Sequence, residues 1–169
     1  MRIGEALFAG SLAVLAGPVA PPLPPDTDPV FAEAYTSCLA AIEGGGSLDE
    51  NVGWTGHDSG DPDAVAWKYW SRGYATKEVA GVGILNLSAT VQNYAGHKLG
   101  LCSVTVTAPE REIAAPALTT AGFKGTLEGD AADWSGLWRN ANGNLFVEGL
   151  MSTNARQFRL SLTSVDTRS

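Results

Sequence analysis

The sequence predicts an α+β domain: a single antiparallel sheet of about five strands, a hairpin plus a three-strand meander, covered on one face by an N-terminal helix and short helices. Three observations carry this expectation. Between Ile84 and Ala108, Leu85, Leu87, Ala89 and Val91 share one parity and Cys102, Val104 and Val106 another, with a turn signal at Tyr94-Ala95-Gly96-His97 between them. Over Pro29 to Glu43, the residues Phe31, Ala34, Tyr35, Cys38, Leu39, Ala41 and Ile42 follow the spacing of one helix face. Beyond residue 133, Trp134–Arg139, Leu145–Ser152 and Gln157–Val165 read as strands separated by the reversals Asn140-Ala141-Asn142-Gly143-Asn144 and Thr153-Asn154-Ala155-Arg156.

The chain divides into residues 1–16, read as a signal peptide, 17–27, a proline-rich linker, and 28–169, one exported domain. Met1 to Glu5 carries one positive charge, and Ala6 to Ala16 is apolar but too short to span a bilayer. Cleavage is expected after Ala16, because Ala20 precedes Pro21. Removal takes Arg2 and Glu5 together, so the net charge of −7 is unchanged. An uncleaved N-terminal anchor is the other reading, and Glu5 weakens it. Pro18, Pro21, Pro22, Pro24 and Pro25 then exclude helix and favour an extended polyproline spacer.

The domain opens with the predicted helix. Asp28 is a good N-cap, Pro29 suits the first turn, and Gly44-Gly45-Gly46 stops it. Cys38 therefore points toward the hairpin, whose apolar face holds the other of the two cysteines, Cys102. In an oxidising compartment the two are expected to pair, closing a loop of about 65 residues at about 4 kcal/mol on the entropic model. Neither has a CxxC partner, and two ligands do not close a zinc site.

The span Ser47–Tyr74 is the least regular and chemically the richest. Asp61-Pro62 resembles a cap and first turn, and Trp67, Trp70 and Tyr74 recur at helical spacing, so a short helix over about Pro62–Arg72 is predicted. Its aromatic face either completes the core or lines a cleft. Trp54, His57, Trp67 and Trp70 are the candidate contacts for a ligand or partner. Asp58, Asp61 and Asp63 are candidate metal-binding carboxylates, although their spacing does not match an EF-hand and a solvated acidic turn explains them as well. A further short helix is expected over about Ala115–Ala121.

Catalytic signatures are sparse. There is no Gly-x-Ser-x-Gly elbow, Gly81-Val82-Gly83 lacks the rest of a dinucleotide fingerprint, and no phosphate loop ending in Lys-Ser or Lys-Thr occurs. The acidic balance and the absence of Lys/Arg runs argue against nucleic acid and anionic membrane surfaces. The expectation is a periplasmic or secreted, small, non-enzymatic binding or accessory domain. Its protein or small-molecule partner is left open, no cofactor is implied, and no membrane span remains after signal removal. The alternative is a small hydrolase or metal-dependent enzyme using His57, Asp58, Asp61 and Asp63.

Overall fold

The computed structural model describes residues 20–43, 55–58, 68–94 and 97–166, with backbone alone for 55–58, 68–73 and 93–94. Helix α1 (Pro29–Glu43) is followed by eight strands: β1 (Thr55–Asp58), β2 (Lys68–Val79), β3 (Gly83–Tyr94), β4 (His97–Thr107), β5 (Lys124–Gly129), β6 (Trp134–Arg139), β7 (Leu145–Ser152) and β8 (Gln157–Val165). Every neighbouring pair is antiparallel, and the order is β1-β2-β3-β4-β8-β7-β6-β5. Two meanders, β1 to β4 and β5 to β8, are thus joined edge to edge through β4 and β8.

This corrects the expected fold class. The sheet is not a five-strand sheet under several helices; it has eight strands, and α1 is the single α-helix among the described residues. The aromatic helix predicted over Pro62–Arg72 is replaced, from Lys68 on, by β2. Aromatic residues at spacings of three and four also suit a strand, where wide side chains pack well on a pleated surface. The helix expected over Ala115–Ala121 is one 3-10 turn, Leu118–Ala121, stopped by Gly122 in the left-handed conformation. The β3–β4 hairpin, β6, β7, β8 and α1 lie where the sequence places them.

One face of the sheet is buried. Leu85, Leu87, Ala89 and Val91 of β3, Cys102, Val104 and Val106 of β4, and Phe158, Leu160 and Leu162 of β8 are all buried, and α1 packs on these three strands. Phe31 anchors the helix, its ring centroid 6.3 Å from that of Trp134 and 6.4 Å from that of Phe158. Helix and sheet approach closely at Gly100, where a Cβ would sit 2.4 Å from Ile42 Cγ2, so a larger residue would force Ile42 and the helix to shift. The Cys38–Cys102 disulfide joins α1 to β4 across this interface.

The rest of the buried face lies under the β4–β5 connection. Ile113, Leu118 and Phe123 from this connection are fully or nearly fully buried, and the Ile113 carbonyl accepts a 2.8 Å hydrogen bond from Trp134 Nε1. Tyr35 packs edge-on against Phe123, tying the helix to the same connection. The opposite face of the sheet is polar and half-exposed, with Ser88, Ser103 and Ser161 in one row across β3, β4 and β8. An antiparallel sheet tolerates water on one side in this way.

Candidate binding site

The residues singled out by the sequence separate. Cys38 and Cys102 are bonded to each other. Trp54, Asp61, Asp63 and Trp67 lie outside the described residues. His57 and Asp58 fall on β1, where their backbones pair with Tyr74 and Gly73 of β2. Trp70 sits where the β2–β3 register shifts, between Tyr69 and Ser71. Among the described residues, no group of three or more His, Cys, Asp or Glu side chains could hold a metal ion. His97 opens β4, exposed, with Nδ1 3.1 Å from the Asp166 carbonyl oxygen.

A different site emerges at the end of the sheet where β4 leaves it and the β7–β8 reversal turns. The sequence does not mark it. A depression of about 600 Å³ is lined there by Pro109, Glu110, Arg111, Glu112, Met151, Thr153 and Arg156. Arg156 of this lining (φ 49°) and Ala108 (φ 52°), the residue before Pro109, adopt the left-handed conformation without being glycine. They face each other: the Ala108 N–H donates a 2.6 Å hydrogen bond to the Arg156 carbonyl. For an L-residue this conformation brings Cβ against the following carbonyl and costs about 1–2 kcal/mol.

Both walls are fixed from behind. On one side the Asp28 carboxylate accepts the Val30 N–H at 2.9 Å, capping α1, and also takes the Arg111 guanidinium in a fork of 2.7 and 2.9 Å. The Ala114 N–H donates to the same carboxylate at 3.2 Å. Burial alone would raise the Asp28 pKa, but the hydrogen bonds from Arg111, Val30 and Ala114 outweigh it and hold the carboxyl below its ordinary value. On the other side, Asp133 accepts the Thr153 N–H at 2.9 Å and also bonds the Thr153 hydroxyl. Asp133 itself is held by Asp130, which accepts the Asp133 N–H at 3.0 Å.

The charges lining the depression are of both signs. Arg111 is committed to Asp28. Arg156, Glu110 and Glu112 are exposed, and none of the three is in an ion pair among the described residues. A floor of Met151 and a wall of Pro109 supply apolar surface between them. Another depression, of about 240 Å³, lies on the polar face, over Ser88, Thr90, Leu101, Ser103, Ser161 and Thr163, and is lined by no charged residue.

No family model matches the chain, and no curated protein or solved structure is detectably similar to it. Among the described residues no helix is long and apolar enough to cross a membrane.

Proposed function

We propose that the protein is an exported, non-enzymatic binding domain and that its ligand occupies the depression between the β4 exit and the β7–β8 reversal. The observation that carries this reading is the facing pair Ala108 and Arg156, two left-handed non-glycine residues hydrogen-bonded to each other, of which Arg156 lines the depression and Ala108 precedes Pro109 of its wall. Backbone strain of this kind persists only where the surroundings over-determine it, and it concentrates at ligand clamps. Two supports stand behind it: the walls are braced by Asp28 and Asp133, and the lining carries an exposed guanidinium and two carboxylates beside apolar Met151.

The ligand class follows from that lining. Arg156 offers a fork of donors for a carboxylate or similar anion, and Glu110 and Glu112 offer acceptors for a cationic group. A small zwitterionic or peptide-like molecule with a short apolar stem matches both. Export is supported by the N-terminal signal-like sequence and by the Cys38–Cys102 bridge, since disulfides persist in oxidising compartments.

A thermal-shift screen of free amino acids, dipeptides and dicarboxylates against the parent chain and Arg156→Gly tests the reading. The substitution removes the guanidinium and relieves the strain, so the variant is expected to fold at least as stably while its ligand response falls ten-fold or more, about 1.4 kcal/mol. An unchanged response in Arg156→Gly, or no response to any of these classes, would sink it.

A further inference from the structure

Among the described residues strand β5 forms one end of the sheet, pairs only with β6, and is exposed at all six of its residues. Such an edge presents a row of unpaired backbone N–H and C=O groups, which natural sheets blunt with short strands, charged side chains, proline, bulges or a covering element. The β5 sequence Lys-Gly-Thr-Leu-Glu-Gly contains no proline. Its side chains specify what strand would fit against it.

Lys124 and Glu128 lie on the same face, placed symmetrically about Thr126. An antiparallel strand of the same sequence, centred on Thr126, sets Lys124 opposite Glu128 of the second copy at both ends. It also sets Leu127 opposite Gly125, which has no side chain to collide with. Within the chain, Lys124 stands directly opposite Arg139 of β6, and neither is in an ion pair among the described residues. Like charges directly opposite are unfavourable, and Glu128 from a second copy supplies the missing counter-charge.

The apolar residues fit the same arrangement. Leu127 and Leu137 are 48% and 56% exposed, among the highest values for large apolar side chains of the described residues. Leu137 is the cross-strand neighbour of Thr126, so pairing at Thr126 continues its row into the Thr126 and Leu137 of the second copy.

We propose that β5 is a self-association edge: two copies of the chain pair β5 to β5, antiparallel and centred on Thr126, in a two-fold dimer with one continuous sheet. The pattern is self-complementary, and a two-fold contact closes on itself, so assembly stops at two. A contact of one short strand per copy is smaller than a standard stable interface, which places the dimer in the weak, micromolar range.

Sedimentation equilibrium of the disulfide-bonded protein from about 1 µM to about 1 mM tests this directly. The parent chain is expected to show a monomer–dimer equilibrium. Glu128→Lys sets lysine against lysine at both ends and is expected to weaken dimerisation about ten-fold, and the double swap Lys124→Glu/Glu128→Lys to restore it to within about three-fold. Both positions are exposed, so folding is preserved, and circular dichroism checks that. Amides of 124–129 should gain hydrogen-exchange protection as concentration rises. A monomer throughout, a dimer indifferent to Glu128→Lys, a double swap as weak as the single variant, or protection appearing elsewhere would each overturn the proposal.

Discussion

Asp28 and Arg111 stand 83 residues apart in the chain and meet in a two-pronged ion pair of 2.7 and 2.9 Å, in which the Asp28 side chain is only 7% exposed. The same carboxylate caps α1, so one residue fastens the helix start and the loop leaving β4 together. Asp28→Ala removes the cap and the carboxylate partner of a half-exposed guanidinium, and is expected to cost about 1–2 kcal/mol of folding stability. Asp28→Asn keeps an acceptor for the cap and is expected to cost less. Urea denaturation ranks the two, and an Asn variant as unstable as the Ala variant would contradict the double role.

The acid response of the fold should follow from the same pair. The Asp28 carboxyl is held below its ordinary value of 3.8 in the folded chain, so its contribution is present above that value and is lost as pH falls through the lower, folded value. Arg111→Met removes the chief partner and should flatten this part of the acid limb. Stability measured by denaturation from about pH 6 down to about pH 2 reads it out.

Tyr35 gives the opposite sign at the alkaline end. Burial pushes its phenol up to about 12, because the phenolate is disfavoured beneath the helix. Its contribution is therefore intact below the ordinary value of 10 and is lost as pH rises from there through about 12. Tyr35→Phe removes the group that titrates, and its stability should decline less steeply over that window than the parent's, as followed by circular dichroism.

The covalent link between α1 and β4 spans 64 residues of sequence. Replacing both Cys38 and Cys102 by alanine is expected to lower stability by about 4 kcal/mol, chiefly by freeing the unfolded chain. A loss below about 1 kcal/mol in urea denaturation would mean that the helix is held by packing alone.

Much of this fold is legible in the sequence where one strand face is buried and the other wet. In β8, Phe158, Leu160 and Leu162 alternate with Arg159, Ser161 and Thr163, and the strand is found as read. The disulfide is legible for the same reason, since both cysteines fall on apolar faces. β5 escapes because all its residues are exposed and Gly125 and Gly129 interrupt it, so no alternation exists to be read. β2 escapes because Trp67, Trp70 and Tyr74 imitate a helix face, although from Tyr74 on the strand alternates an exposed Tyr74 with a buried Ala75.

The candidate site is the least legible part. A left-handed residue is announced in sequence by glycine or asparagine, and here alanine and arginine occupy the conformation, so nothing at position 108 or 156 signals it. The reversal Thr153–Arg156 is readable, but its proximity to Ala108 is not, because that contact is set by where β4 ends relative to β7 and β8.

The strain itself can be tested without disturbing a charge. Ala108→Gly keeps every side chain that lines the depression, relieves about 1–2 kcal/mol of left-handed strain and adds back part of that as unfolded-chain entropy. A net gain of about 0.5–1 kcal/mol is expected in denaturant titration. A loss of stability would show that Ala108 is not strained.

The most direct measurement of the central claim is a map of backbone amide chemical shifts on adding the tightest-binding compound from the amino-acid, dipeptide and dicarboxylate screen. The largest changes are expected on Glu110, Arg111 and Glu112 and on Thr153 and Arg156, which line the two walls of the depression. Changes concentrated instead on Ser88, Ser103 and Ser161 of the polar sheet face, with Arg156 unmoved, would contradict it.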